Sequence, residues 1–283
     1  MKVDFIILGA MKCGTSSLAT ILSLHPDISF SKPKEPHFFS RNINWRHGLE
    51  EYHSHFPKNG ILYGEGSTSY TKYPAYNLHI WDDIYEYNNN MKFVYVIRNP
   101  IARTVSQYVH LYQLGHIDTS LEETVLRNPD IINFSRYYTQ VIPYIRKFGR
   151  ENVMILLFED FIKNQEAVTK NILSFLGADV SAMPEITDSI HSNKTYEGRM
   201  ERPHSKYKGK LFPKLIQRIS PAVWRKMYVP TNRYFTEKPV LSEDLKRVII
   251  NMLELDILAM QDLIGRDLSD WLVLNTYETA VEG

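Results

Sequence analysis

The run Phe5-Ile6-Ile7-Leu8 and the loop Gly9-Ala10-Met11-Lys12-Cys13-Gly14-Thr15-Ser16-Ser17 constrain this chain more than any other feature. Four consecutive apolar residues ending at a glycine read as a central parallel strand, buried on both faces. Beyond the loop, Leu18, Ile21, Leu22 and Leu24 recur at helical spacing until His25-Pro26-Asp27 stops them. Strand, glycine loop and helix together open a βαβ-type nucleotide fold. The glycines let the backbone curl so that successive N–H groups point inward. The helix N-terminus adds partial positive charge, and Lys12 adds a full one. Such a loop suits a phosphate; a plain glycine turn with a surface lysine is the competing reading.

Other segments extend the pattern. Ile61-Leu62-Tyr63, Lys92–Ile97 and Val153–Phe158 read as further strands, giving four in all. Pro74 is placed at the first turn of a helix carrying Leu78, Trp81 and Tyr85. Helices are also expected from about Pro100 to Leu114, around Ile142, Ile145 and Phe148, and from Val168 to a stop at Gly177. A long helix follows near the C-terminal end, its stripe including Leu245, Ile249, Leu253, Asp256 and Met260. Strands alternating with helices argue for α/β architecture: a P-loop-like three-layer fold with a central parallel sheet flanked by helices. We read 1–283 as one domain, with a C-terminal helical segment and a basic stretch at about 194–226. That stretch holds ten Lys or Arg against Glu197 and Glu201. It is either a solvated surface or a flap over an anion.

Charge and cysteine content narrow the classes. With 33 Lys and Arg against 32 Asp and Glu, the net charge of +1 gives no global field for nucleic acid or an anionic membrane. Cys13 is the single cysteine, which excludes an intrachain disulfide and a thiolate zinc cluster. The apolar run near Met1 is too short for an export signal or a membrane span. The expectation is a cytoplasmic protein with a small-molecule partner and no membrane association.

The loop departs from the standard nucleotide triphosphate pattern, because Lys12 stands two residues before Gly14 instead of directly after it. Phe158-Glu159-Asp160 is the nearest candidate for a magnesium-holding strand end, and it is weak. No metal site is expected. A second anion site is suggested where Arg98 follows the Lys92–Ile97 strand and Ser106 lies about two turns into the next helix. A guanidinium with a hydroxyl suits a separate phosphate. A structural ion pair at Arg98 and an ordinary surface serine at Ser106 are the alternative. Two anion sites on one sheet imply a nucleotide carrying phosphates at both ends of its ribose.

The combined pattern resembles the PAPS-dependent sulfotransferases (PAPS being 3′-phosphoadenylyl sulfate), particularly their heparan-sulfate-type and bacterial branches. The matching stretches are GAMKCGTSSLATILSLHPDI, KEPHFF, GEGSTSY, VIRNPIARTVSQYVH and FEDF followed by FLG, with a weaker echo in IGRDLSDWL. The resemblance implies that Lys12, Cys13, Gly14, Thr15, Ser16 and Ser17 hold the 5′-phosphosulfate. It implies that Arg98 and Ser106 hold the 3′-phosphate, and it makes Arg199 the candidate from a late basic loop. PAPS is then the co-substrate, PAP the product, and the acceptor a hydroxyl or amine of a small molecule. A nucleotide kinase with a variant loop and a non-catalytic PAP-binding protein are the rival functions.

Sulfuryl transfer needs a base on the acceptor side and positive charge on the leaving phosphate. Lys12 meets the second need. For the first, Glu35 lies between Pro33 and Pro36 and beside Phe38, where desolvation is expected to raise its pKa. His37 is the rival base. The resemblance favours Glu35, since the heparan-type branch places a glutamate just before a His-Phe-Phe-like sequence. It departs at Gly66, where some glycan-sulfating members carry a lysine, so Lys12 is left with less help. Glu65 either contacts the acceptor or orients the site. Tyr, Trp and His in 37–55 and 108–116 are candidates for an acceptor pocket or for ordinary core.

Overall fold

Strand β1 (Phe5–Gly9) is buried along its whole length, because parallel strands flank it on both sides. The computed structural model describes residues 1–41, 44–57, 60–183, 235 and 237–274. Within them β1, β2 (Ile28–Phe30), β3 (Leu62–Glu65), β4 (Lys92–Ile97) and β5 (Val153–Leu157) form one sheet in the order β2-β3-β1-β4-β5. Every pairing is parallel. From β1 the chain passes to the edge strand β2 and back to β3 on one side, and then crosses to β4 on the other. A crevice therefore opens at the carboxyl end of β1, where the glycine loop emerges.

The connections among the described residues carry helices α1 (Thr15–Ser23), α2 (Phe38–Arg41), α3 (Leu49–Ser54), α4 (Ile80–Tyr87), α5 (Pro100–Leu114), α6 (Leu121–Arg127), α7 (Asp130–Asn133), α8 (Tyr137–Phe148), α9 (Phe158–Lys163), α10 (Gln165–Leu176) and α11 (Glu243–Ile264). Alternation along β4 shows how they cover both faces. Phe93 stacks edge-on against Tyr144 and Phe148 of α8, and Tyr95 meets Tyr137 at the start of that helix. Lys92 points to the other face and donates to the carbonyls of Phe175 and Leu176 at the end of α10, at 2.7 and 3.4 Å. A cation at a helix C-terminus is stabilised by the dipole.

Local signals place α5 within a residue of expectation. Asn99 accepts from the amides of Ile101 and Ala102, Pro100 stands at the first helical position, and Gly115 ends the helix in the left-handed region at φ 61°. Helix α11 docks through Asp256, which reads as one more position of an amphipathic stripe. Its buried carboxylate accepts from Tyr138 N, Thr139 N and Thr139 Oγ1 at 2.9, 2.9 and 2.7 Å, and so caps α8.

Two expectations change. The sheet has five strands, not four: the three residues of β2 give no period to read in the sequence. The helix expected from Pro74 begins six residues later, at Ile80. Asn77 intervenes, accepting from His79 N and donating to Asp83 Oδ2. A side chain that bonds its own neighbouring backbone competes with helix. The basic stretch at 194–226, with Arg199, lies outside the described residues. No helix among the described residues is long and apolar enough to cross a membrane.

Candidate active site

The loop between β1 and α1 is shaped by its own backbone. Cys13 N donates to Ala10 O at 3.1 Å, and Ala10 N is held by Val96 O of β4 at 2.7 Å. Lys12 and Gly14 both take positive φ, at 71° and 80°. Gly14 is required twice over, since a Cβ there would stand 2.8 Å from the Phe158 ring. The first helical bond runs from Leu18 N to Gly14 O at 3.0 Å, and no side chain caps the helix start. The amides of Thr15, Ser16 and Ser17 thus precede Leu18 N, the first intrahelical donor, and are left to meet an anion.

Cys13 turns inward. Its thiol is buried near Tyr137 Oη, and burial pushes it up to about 12. With its amide given to Ala10 and its thiol in the core, Cys13 shapes the loop.

Arg98 packs beside this loop. Its guanidinium lies 4.5 Å over the Phe158 ring and donates to Lys12 O at 3.3 Å. The Tyr137 hydroxyl fixes the Arg98 carbonyl at 2.6 Å. Ser106 is carried on α5, which starts two residues after Arg98. Burial and then the Arg98 charge lower the Lys12 pKa, with Lys34 adding to the effect. Three cations therefore converge on one loop, although the chain as a whole is nearly neutral. A further cation, Lys238, also feels the Arg98 charge, which adds to burial in lowering its pKa.

The segment after β2 delivers the remaining groups. Lys34 reaches across to α1, donating to Thr15 Oγ1 and Ser16 Oγ at 3.1 and 3.4 Å and to Glu35 Oε1 at 3.1 Å. Glu35 Oε2 accepts from the amide and hydroxyl of Thr68, at 3.2 and 2.9 Å. Desolvation was expected to raise the Glu35 pKa, and burial does push upward. The Lys34 ammonium and the two Thr68 donors outweigh it, and the carboxyl falls below the ordinary glutamate value.

His37 stands in a serine chain. Its Nδ1 is 2.7 Å from Ser69 Oγ, Ser69 is 2.7 Å from Ser40 Oγ, and Ser40 donates to the His37 carbonyl at 3.0 Å. Each hydroxyl has one proton, so all three contacts are satisfied only if His37 Nδ1 donates to Ser69. Nε2 then keeps its lone pair, 3.8 Å from Glu35 Oε2. Burial and the Arg41 charge outweigh Glu35 and lower the His37 pKa, so the ring is neutral.

Glu65 is enclosed and orients this shell. Tyr52, Tyr70 and Ser67 donate to its carboxylate at 3.0, 2.7 and 2.5 Å, while Ser67 Oγ accepts from His37 N. Burial raises its pKa to about 7 against the pull of those donors. Of the aromatics considered for an acceptor pocket, Trp45, Tyr52, Tyr108 and Tyr112 are core residues.

The FEDF stretch is a brace. Phe158 packs under Gly14 and Arg98, Glu159 accepts from Asn99 N at 3.0 Å, and Asp160 pairs bidentately with Arg266 of the IGRDLSDWL stretch. Asp160 is thereby committed to an ion pair. Among the described residues no group of three or more His, Cys, Asp or Glu is placed to hold a metal ion. Sequence reasoning missed Lys34, Thr68 and Phe158. Lys34 reaches the loop across 18 and 19 residues and Thr68 reaches Glu35 across 33, while Phe158 meets Gly14 and Arg98 from still farther along the chain, beyond the reach of any local pattern.

The comparisons agree with this architecture. A family model described as a sulfotransferase domain matches residues 2–214. Carbohydrate sulfotransferase 15 of Mus musculus is 23% identical over 81% of this chain and 52% of its own length. Heparan sulfate glucosamine 3-O-sulfotransferase 3A1 of Mus musculus is 26% identical over 81% of this chain and 61% of its own. The chain thus spans between half and two thirds of the length of these relatives. The crystal structure of a sulfotransferase from Alicyclobacillus acidocaldarius superposes with a TM-score of 0.68 at 25% identity, covering 96% of this chain and 99% of that one. With the glycine loop, the parallel sheet and the matched domain in agreement, the chain belongs to the sulfotransferase family.

Proposed function

We propose that this chain is a single-domain enzyme that transfers a sulfuryl group from PAPS to a hydroxyl or amine of a small acceptor, releasing PAP. The observation that carries this reading is the ionised Glu35 carboxylate, held by Thr68 and joined through Lys34 to the Thr15 and Ser16 hydroxyls of the loop. A base adjoining an anion-binding loop is the pairing that in-line transfer requires. The 5′-phosphosulfate would lie on the amides of Thr15, Ser16 and Ser17 beside Lys12, relieving the mutual repulsion of the cations there. The 3′-phosphate would engage Arg98 and Ser106, with Arg199 the candidate from the basic stretch. The Glu35 side chain is 29% exposed, which favours approach by one slender nucleophile.

In the transfer, the acceptor oxygen or nitrogen forms a bond to sulfur as the bond from sulfur to the phosphate oxygen breaks. The electron pair leaves with that oxygen, and Glu35 takes the acceptor proton. Glu35 is favoured over His37 because it is contiguous with the loop through Lys34, while His37 Nε2 stands one step behind. The single cysteine, buried and inert, is consistent with a reducing cytoplasmic setting.

The test is incubation with PAPS and a panel of acceptors with separate small-molecule and carbohydrate arms, read by mass spectrometry. PAP together with a product enlarged by one SO3 unit in the small-molecule arm is the expected result. Product in the carbohydrate arm alone would correct the acceptor. No PAP from either arm would count against the activity.

A further inference from the structure

Among the described residues, Lys34 touches both halves of the proposed site, the loop hydroxyls and Glu35. Its main chain is fixed, since its carbonyl accepts from Gly66 N at 3.0 Å and from Ser31 Oγ at 3.1 Å. From that anchor the side chain runs past Gly66, and a Cβ at position 66 would stand 3.1 Å from Lys34 Cε. That separation is tighter than ordinary carbon contact, so the bare glycine leaves the channel through which the lysine passes. The ammonium emerges between the loop hydroxyls and Glu35, and its three N–H donors match three partners.

Two of those partners are neutral hydroxyls. A hydrogen bond from an ammonium to an anionic oxygen is roughly twice as strong as one to a neutral oxygen. A sulfuryl oxygen presented between the loop and Glu35 would therefore displace Thr15 and Ser16 as acceptors for Lys34. The third partner is the carboxylate assigned as base, on the acceptor side. A line from the loop to Glu35 is the line along which sulfur would move, and Lys34 stands beside its midpoint.

We propose that Lys34 is a catalytic residue: its ammonium, threaded past Gly66, binds the sulfuryl end of the donor and stabilises the negative charge that develops on the departing phosphate oxygen. This rests on the PAPS reading above and adds a second cation to Lys12. As the new bond to sulfur forms and the old one breaks, the leaving oxygen keeps the electron pair and Glu35 accepts the proton. Lys34 changes no covalent bond. It shifts its hydrogen bonds from the hydroxyls to the donor while holding Glu35 ionised.

The test compares PAPS and PAP affinities by calorimetry in the wild type, Lys34→Ala and the double variant Lys34→Ala/Gly66→Lys. Circular dichroism checks that each is folded, and Lys34→Met serves as a near-isosteric substitute should the alanine variant unfold. Because PAP lacks the sulfuryl group, Lys34→Ala should weaken PAPS by about tenfold or more, the size of one charge-assisted bond, while PAP changes by less than about threefold. A lysine placed at 66 enters the vacated channel and should restore most of the PAPS affinity. Equal weakening of both nucleotides, or no recovery in the double variant, would overturn the role of Lys34 and leave the donor reading standing. A wild-type chain that binds neither nucleotide would overturn the donor reading itself, and this inference with it.

Discussion

At Glu35 burial and charge pull in opposite directions, and the geometry decides between them. Burial favours the neutral acid, yet the Lys34 ammonium at 3.1 Å and two donors from Thr68 favour the anion, which prevails. A depressed pKa keeps the base ionised into mild acid, and the matching stability is lost only as pH falls through the folded value. The acidic limb of kcat/KM should accordingly lie below the ordinary glutamate range. Glu35→Gln should lower kcat by about 100-fold or more, the typical worth of a positioned base, with PAP affinity nearly unchanged. His37→Ala should cost less, since the neutral ring holds the serine chain. Steady-state kinetics across pH on these variants is the check; a larger loss from His37→Ala would move the base to that residue. From sequence, Glu35 was visible through its His-Phe-Phe context, but the sign of its shift was not. That sign depends first on where the Lys34 ammonium points and then on Thr68, 33 residues away.

The elements show where local patterns suffice and where they fail. Helix α5 was legible because cap, proline and terminal glycine all sit within its own residues. Strand β2 was not legible, being three residues long and defined by its pairing with β3. Helix α11 was legible as amphipathic, but the reason for Asp256 in its stripe was hidden, because the amides it caps belong to α8. This cap bears on the site, since α8 begins with Tyr137, whose hydroxyl holds the Arg98 carbonyl. Asp256→Ala leaves two amides and a hydroxyl without their acceptor. It should destabilise by about 2 kcal/mol, lowering Tm by roughly 3 °C for a chain of this size. Scanning calorimetry reads this directly, with Asp256→Asn, which keeps one acceptor oxygen, expected to lose less. An unchanged Tm in the alanine variant would show that α11 docks by apolar packing alone.

Across the whole molecule, a net charge of +1 conceals a strongly uneven distribution. Lys12, Lys34 and Arg98 arrive from three separate connections and meet at the carboxyl end of β1. The sheet order makes this possible by opening its crevice there. The loop and Arg98 could be found as motifs, whereas their closeness could not. The structure sets Arg98 against the Lys12 carbonyl, a contact made across 86 residues of chain. The account as a whole requires this convergence of charge to hold a nucleotide bisphosphate. Calorimetric titration of PAP into the wild type and Lys12→Ala measures that requirement. Saturable one-to-one binding, weakened about tenfold or more by loss of the ammonium, is the predicted result; no binding by the wild type, or equal binding by both proteins, would contradict it.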